Sequence, residues 1–351
     1  MKRIKLGPRL VGDGEAPYFI ADIGSNHNGD MVLCKKLIDA GIGSGVDSVK
    51  FQSFDTKSLI SKTLYDRHLS YPGDTHRHFG SLYEMVKKYY LRPEQHKFVA
   101  NYCKKKGITF SSTSLSPNEV DMLINLGVPF FKVASMDVTN HPLLEYVSSK
   151  RKPVILSTGM ASLWEIDQAM EIFRKVNAEV ILLHCIATYP AKIEDINLNN
   201  IEMLKKTFGV PVGYSDNSDG ISIPIAAIAL GACIIEKHFT LDKKMSGWDH
   251  VISADPQDMK YIIEEGKKVV KALGSHQRKV SKKEMQKRKE FRRSIVAAHD
   301  LNKGQKIRLQ DMNFKRPEEG GISPSKFKDL IGRKVNKNVN YDQQIKPSDL
   351  L

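Results

Sequence analysis

Residues 18–30 read YFIADIGSNHNGD: four apolar residues, Asp22, two more small or apolar positions, then a polar turn of Ser, Asn and His. An apolar run on consecutive positions marks a strand buried on both faces. A stretch of helical periodicity follows directly, MVLCKKLIDAGIGS over 31–44. Working outward, the same unit recurs. SVKFQSF starts at Ser48, ITFSSTS at Ile108, FFKVASMD at Phe130 and VILSTGM at Val154. VILLHCIATYP starts at Val180, VGYSDNS at Val212 and IIEKHFT at Ile234. Helical patterns separate most of the runs, at 93–106, 117–126, 162–176, 222–230 and 256–273. Strands alternating with helices are parallel and joined by crossovers. Eight such units predict an α/β fold, a closed (β/α)8 TIM barrel over residues 1–274. The active site of such a barrel lies at the C-terminal strand ends, where each run here turns polar.

Bulk composition agrees with a soluble globular chain. Its 351 residues are 41% hydrophobic and 27% charged, enough for a large core. No uninterrupted apolar stretch reaches transmembrane length. The opening MKRIKLGPRL lacks the apolar segment of a secretory signal. Cys34, Cys103, Cys185 and Cys233 are dispersed, which fits a reduced, cytoplasmic setting. The net charge of +14 raises the question of nucleic acid. Nine Lys or Arg against two Glu in His276–Arg293 account for +7 of it. No zinc-finger spacing or RNA-binding aromatic motif accompanies that run, so it is expected to be a solvated linker, 275–293. Nucleic acid and membrane partners are not expected; anionic substrates are.

Beyond the linker the rhythm changes. In 294–351, short strand-like pieces (SIVAAHDL, KIRL, DMNFKRP, KVNKNV) alternate with turn signals, with one short helix expected near Ser325–Ile331. This predicts a small β-rich domain with a thin core.

Lys50 and Lys132 each interrupt an apolar strand. A lysine there costs desolvation energy unless it meets an anion, either a structural carboxylate or a bound phosphate or carboxylate. Thr113, Ser135, Ser157 and Ser215 stand near the same rim and could complete an anion cradle. Asp22 and Asp137 end strands and are candidates for acid–base work, or for caps and ion pairs. His184 and His238 also end strands. His238 is the better metal ligand candidate, although no paired-histidine spacing supports a metal.

The motifs IADIGSNHNGD, VKFQ, FKVAS, VILSTGM, GYSD, EKHFTLD, and the late KRP and GGISP together resemble the sialic acid (nonulosonic acid) synthase family. The resemblance covers nearly the whole chain. It implies a transferase that condenses phosphoenolpyruvate with an N-acetylated amino sugar to give a nonulosonic acid. It also implies a C-terminal antifreeze-like (SAF, β-clip) domain and a domain-swapped homodimer. Matched motif by motif, Lys50, Thr113, Lys132, Ser135, Ser157 and Ser215 would hold phosphoenolpyruvate. Gln52 and Tyr189 would position the sugar, and Arg316 of KRP would reach its N-acetyl group. His238 and Asn217 would hold a divalent metal, Mn²⁺ or Mg²⁺, with Asp249 beside it. Four positions depart from the family pattern. Asp22 and Asp137 stand where Glu is usual, Asn217 where His is usual, and Ala187 where Asn is common. An amide is a weaker ligand than imidazole, so the metal is expected to be loosely bound or dispensable. Other readings are a related phosphoenolpyruvate-dependent 3-deoxy-ulosonate synthase, or a non-catalytic sugar- or polyanion-binding relative.

Overall fold

Alternation decides what each strand of a closed barrel presents, because successive side chains point to opposite faces. The structure, a computed structural model, describes residues 2–70, 77–316 and 321–351. It divides into two compact units, Met1–Gly274 and Ser275–Leu351. The first unit opens with an antiparallel hairpin, β1 (Arg3–Leu6) and β2 (Arg9–Gly12). The eight expected runs follow as β3 (Tyr18–Gly24), β4 (Ser48–Ser53), β5 (Thr109–Ser114) and β6 (Phe131–Val133). The others are β7 (Val154–Ser157), β8 (Val180–Cys185), β9 (Val212–Asp216) and β10 (Ile234–His238). Each pairs in parallel with the next, and β10 returns to β3 to close the barrel.

Two hydrophobic clusters show the alternation. One face of the strands, including Phe19, Val49, Phe51, Phe131 and Leu182, packs outward against the helices. The other face points inward, where Tyr18, Ile20, Phe130, Ile155, Leu183 and Ile234 fill the lower barrel. Ile4, Leu6 and Val11 of the hairpin join this inner cluster and plug the barrel's base. The hairpin was not expected from the sequence, because its strands are only four residues long. Gly213 keeps the interior tight: a Cβ there would lie 2.7 Å from both Leu183 and Ile234.

The helices follow from local chemistry. Asp30 caps the first one, accepting hydrogen bonds from the Val32 and Leu33 amides, and Gly45 closes it in the left-handed conformation. Gly29, just before it, has φ +74° and lies against the Lys88 carbonyl, so no other residue fits that turn. The expected helices appear as Pro93–Lys106, Pro117–Asn125, Leu163–Lys175, Ser222–Ala229 and Pro256–Leu273. The described residues of the long segment after β4 are more than loop. They carry helices Thr56–Leu59, Lys62–Arg67 and Leu82–Tyr89. They also have their own apolar cluster of Phe54, Tyr65, Leu82, Met85, Val86 and Tyr89.

The second unit has a core of its own, including Ile295, Leu301, Ile307, Val335, Val339 and Ile345. Two of the expected strand pieces form a ladder, β11 (Ser294–Ala297) with β12 (Met312–Lys315). The other two, KIRL and KVNKNV, make only isolated bridges such as Lys306 with Lys334 and Leu301 with Val339. Turns recur too often there for a ladder to extend. The expected short helix spans Pro324–Lys326 and Phe327–Leu330. The basic run is exposed throughout, as a solvated linker would be. Within 275–293, Lys282–Phe291 is a helix, opened by a capping box between Ser281 and Glu284.

Candidate active site

Moving two residues up each strand from the apolar floor reaches the next inward layer. Ile20 leads to Asp22, Phe130 to Lys132, Ile155 to Ser157, Leu183 to Cys185 and Ile234 to Glu236. All five of these upper residues line one cavity of about 380 Å³ at the C-terminal strand ends. Lys50, Gln52, Thr113, Ser215 and His238 have the same inward parity and line it too. Ser135, Tyr189, Asn217 and Asp249 join from the loops above. Twelve of the fifteen site candidates singled out in the sequence therefore meet around one space.

Its floor is charged. Lys50 Nζ donates to Asp22 Oδ2 at 2.7 Å and to Thr113 Oγ1 at 3.4 Å. Lys132 Nζ donates to Ser157 Oγ at 2.7 Å and to its neighbour's carbonyl, Val133 O, at 3.1 Å. Glu236 stands between the two ammoniums, 3.7 Å from each, and accepts from Ser215 Oγ at 2.9 Å. Among the described residues, three buried polar atoms of the cavity lining have no hydrogen-bond partner: Asp22 Oδ1, Glu236 Oε2 and His238 Nδ1. Such atoms are costly unless something else meets them, so the layer is built for a polar ligand.

Burial and charge act against each other here. Burial alone would raise Asp22, but Lys50, His238 and the direct hydrogen bond hold its carboxyl below the usual range. Burial would lower Lys50, but Asp22 and Glu236 together raise it. Lys132 is lowered. Burial is the main cause, Glu236 opposes it, and the Lys50 charge pushes it further down. Lys132 is thus the ammonium with the least compensation and the most to gain from an incoming anion.

Two barrel candidates, Asp137 and His184, do not line it. Asp137 ends a 3-10 turn, Ser135–Asp137, that breaks the strand alternation. It does not line the cavity: Met136 does, while Asp137 Oδ1 accepts from Asn140. Burial raises its carboxyl above the ordinary range. Arg316 belongs to the second unit, where its guanidinium stacks 4.0 Å from the Phe291 ring. His184 has outward parity and is bonded through Nε2 to Ile196 O at 2.6 Å, as a structural histidine would be.

Glu236 was missed, although the signal was the same as for the lysines: a charge inside the apolar run IIEKHFT. Next to it in sequence, Lys237 points outward and is fully buried. Its Nζ donates to Asp216 Oδ2 at 2.6 Å and to Ser218 O at 2.7 Å. Asp216 Oδ1 also accepts from the Ser218 amide, Ser218 Oγ and Tyr214 Oη. This outward pair ties together the turn that presents Ser215 and Asn217 and the strand that presents Glu236 and His238.

A metal finds no preformed cage. Among the described residues, no three His, Cys, Asp or Glu side chains are grouped to hold one. His238 Nδ1 is 3.7 Å from Asp22 and 4.0 Å from Asp249. Asn217 spends its amide N–H on Ile186 O at 2.8 Å.

Comparison with known proteins agrees with this architecture. The NeuB family model matches residues 37–278, and the SAF domain model matches 292–351. The chain is 42% identical to an uncharacterised protein of Methanocaldococcus jannaschii, over 100% of this chain and 99% of the relative. It is 41% identical to N,N'-diacetyllegionaminic acid synthase of Campylobacter jejuni, over 93% of this chain and 98% of that one. Among solved structures, N-acetylneuraminic acid synthetase of Leptospira borgpetersenii superimposes with a TM-score of 0.72 at 33% identity. That match covers 82% of this chain and 95% of that one. No helix among the described residues is long and apolar enough to cross a membrane. On the barrel, its charged floor and these matches over both units, the chain belongs to the NeuB family of nonulosonic acid synthases, with a C-terminal SAF domain.

Proposed function

We propose that this chain condenses phosphoenolpyruvate with the open-chain aldehyde of an N-acetylated amino sugar, giving a nonulosonic acid and phosphate. The observation that carries the reading is the pair of buried lysines, Lys50 and Lys132, flanking one carboxylate on the cavity floor beside four hydroxyls. Two ammoniums and the hydroxyls of Thr113, Ser135, Ser157 and Ser215 match the carboxylate and phosphate of an enol phosphate. Asp22, His238 and Asp249 face the space above, where the sugar aldehyde would lie, and Gln52 and Tyr189 flank it.

In the proposed reaction the enol carbon bonds to the aldehyde carbon, and the aldehyde oxygen takes a proton. Water adds to the resulting cationic carbon and releases a proton. The carbon–oxygen bond to phosphate then breaks as the new ketone forms, and the hydroxyl proton passes to the leaving phosphate. Lys50 and Lys132 stay paired with the anionic groups throughout. Asp22, held ionised by Lys50, is placed to orient the sugar hydroxyls and to exchange protons with the aldehyde oxygen. A divalent ion, loosely held or dispensable, is part of the proposal. The open spacing around His238 and the amide at Asn217 support weak retention. The second unit is proposed to serve a partner subunit's barrel through Arg316, and the buried free cysteines fit a cytoplasmic setting.

The test is phosphate release from phosphoenolpyruvate with a panel of N-acetylated hexosamine acceptors, with product mass as a second readout. Release should depend on the acceptor, and activity lost on chelation should return with micromolar to millimolar Mn²⁺ or should never be lost. Background release with every acceptor would refute the synthase reading, and metal that survives dialysis in stoichiometric amount would refute weak retention.

The lowered Lys132 adds a pH expectation. A depressed lysine loses its proton at lower pH than a free one, and the enol phosphate needs the ammonium form. Affinity for phosphoenolpyruvate should therefore be full at lower pH. It should fall as pH rises through the depressed Lys132 value, by up to about tenfold per pH unit, with proton uptake on binding. Calorimetry in two buffers of different ionisation heat measures both. Affinity that stays flat up to the ordinary lysine range would contradict this assignment.

A further inference from the structure

We infer that Glu236 is a catalytic residue of the condensation: its carboxylate faces the carbon that carries both acidic groups of the enol phosphate, stabilises that carbon while it is cationic, and holds the water that adds to it. The inference rests on the synthase reading above and adds one residue to its machinery.

The charges on the cavity floor raise the question. Lys50 and Lys132 stand there against two carboxylates, Asp22 and Glu236. Asp22 has a direct hydrogen bond to Lys50. Glu236 has no such bond to either lysine. It lies 3.7 Å from each ammonium, and its side chain is 4% exposed. For binding alone, a carboxylate between the two ammoniums is a handicap, because it repels the phosphate and carboxylate that they attract. A contact that is unfavourable to the bound substrate speeds the reaction when it becomes favourable in the transition state. The proposed reaction has such a moment. The carbon bearing both acidic groups turns cationic once its neighbour has bonded to the aldehyde.

Geometry places Glu236 at that carbon. With one acidic group on Lys50 and the other on Lys132, the carbon that joins them lies over the gap between the ammoniums, where Glu236 stands. Ser215 sets the aim of the carboxylate. The two residues are register partners across β9 and β10, and Ser215 Oγ donates to Glu236 Oε1 at 2.9 Å. Oε2 is left buried without a hydrogen-bond partner among the described residues. Such an atom is costly until something donates to it. A water can donate one hydrogen bond to Oε2 and turn a lone pair to the cationic carbon. Its oxygen then bonds to that carbon. The proton it sheds makes good the one taken up by the aldehyde oxygen, and its second proton leaves with the phosphate. Glu236 ends the turnover as it began.

The experiment compares Glu236→Gln with wild type in the full-length protein. Calorimetry measures phosphoenolpyruvate alone, and kcat is taken with an acceptor that the wild type turns over. Both are run at mildly acidic pH, so that Lys132 keeps its proton after losing the carboxylate that supports it. The substitution keeps the shape and the bond to Ser215 and removes the charge. Phosphoenolpyruvate should bind about tenfold tighter, and kcat should fall about 100-fold or more. Tighter binding with unchanged kcat would mean that Glu236 only screens the lysines. Weaker binding together with lost kcat would mean that it only holds them in place. Either result overturns the inference and leaves the synthase reading intact. Should that variant not fold, Glu236→Asp carries the test, since it keeps the charge and withdraws it by one methylene. Binding should then stay within about twofold of wild type while kcat falls about tenfold or more. Equal losses in both, or an unchanged kcat, overturn the role. No wild-type turnover with any acceptor refutes the synthase reading and this role with it.

Discussion

Lys50→Met is expected to abolish phosphoenolpyruvate binding and to destabilise the barrel by about 3–5 kcal/mol. The side chain is 4% exposed and its partner Asp22 is 5% exposed, so solvent screens the pair very little. Methionine keeps the length and apolar stem and removes only the charge. What remains is two buried carboxylates, Asp22 and Glu236, with Lys132 as the nearest remaining cation. The Lys50 contribution that keeps Asp22 low disappears, and burial raises its carboxyl. The sign of the acid response follows. In the wild type, the depressed Asp22 contributes stability that is complete above the unfolded carboxylate range and is lost as pH falls through its lower folded value. In the variant that contribution should be absent, so the loss relative to wild type should be large at neutral pH and shrink in acid. Thermal or urea unfolding at several pH values measures it, and calorimetry with phosphoenolpyruvate gives the binding arm. A variant that folds normally and still binds the enol phosphate would remove Lys50 from the site.

Lys237→Met should be equally costly for a different reason. Lys237 and Asp216 are buried on the outer side of the strands, and neither lines the cavity. Removing the ammonium strands Asp216 and frees the Ser218 carbonyl, again at a cost of about 3–5 kcal/mol. Because the pair fixes the turn above β9 and the strand β10, kcat of the folded fraction should fall as Ser215 and Glu236 lose their register. Adding Asp216→Asn should recover most of the stability, since replacing both charges of a buried pair can be nearly neutral. A double-mutant cycle isolates that coupling. Additive losses in the cycle would mean that the pair does not act as a unit. Unchanged kcat in a destabilised single variant would mean that it holds the fold but not the site.

These two lysines show how much of the molecule could be read in advance. Each barrel strand was legible because a strand buried on both sides leaves a consecutive apolar run, and Lys50 and Lys132 stood out as charges within such runs. Parity was the rule not carried through. Applied to IIEKHFT, it separates Glu236, facing in, from Lys237, facing out, and it places His184 away from the cavity. Asp137 could not be judged that way, because its strand stops at Val133 and a 3-10 turn resets the direction. The short hairpin before Tyr18 and the helix Lys282–Phe291 were illegible for another reason. A four-residue strand is too short for its alternation to stand out, and an all-exposed helix has no burial period; only the Ser281–Glu284 capping spacing betrays the latter. The helices and private core of the described residues after β4 come from contacts between residues far apart, which no local window reports.

The plug formed by Ile4, Leu6 and Val11 has a kinetic meaning. With its base stoppered, the barrel among the described residues opens at the C-terminal strand ends, so a ligand on the floor is expected to enter before one that sits above it. If the proposed reaction holds, the three-carbon partner would enter ahead of the sugar, and phosphate would leave after the sugar product.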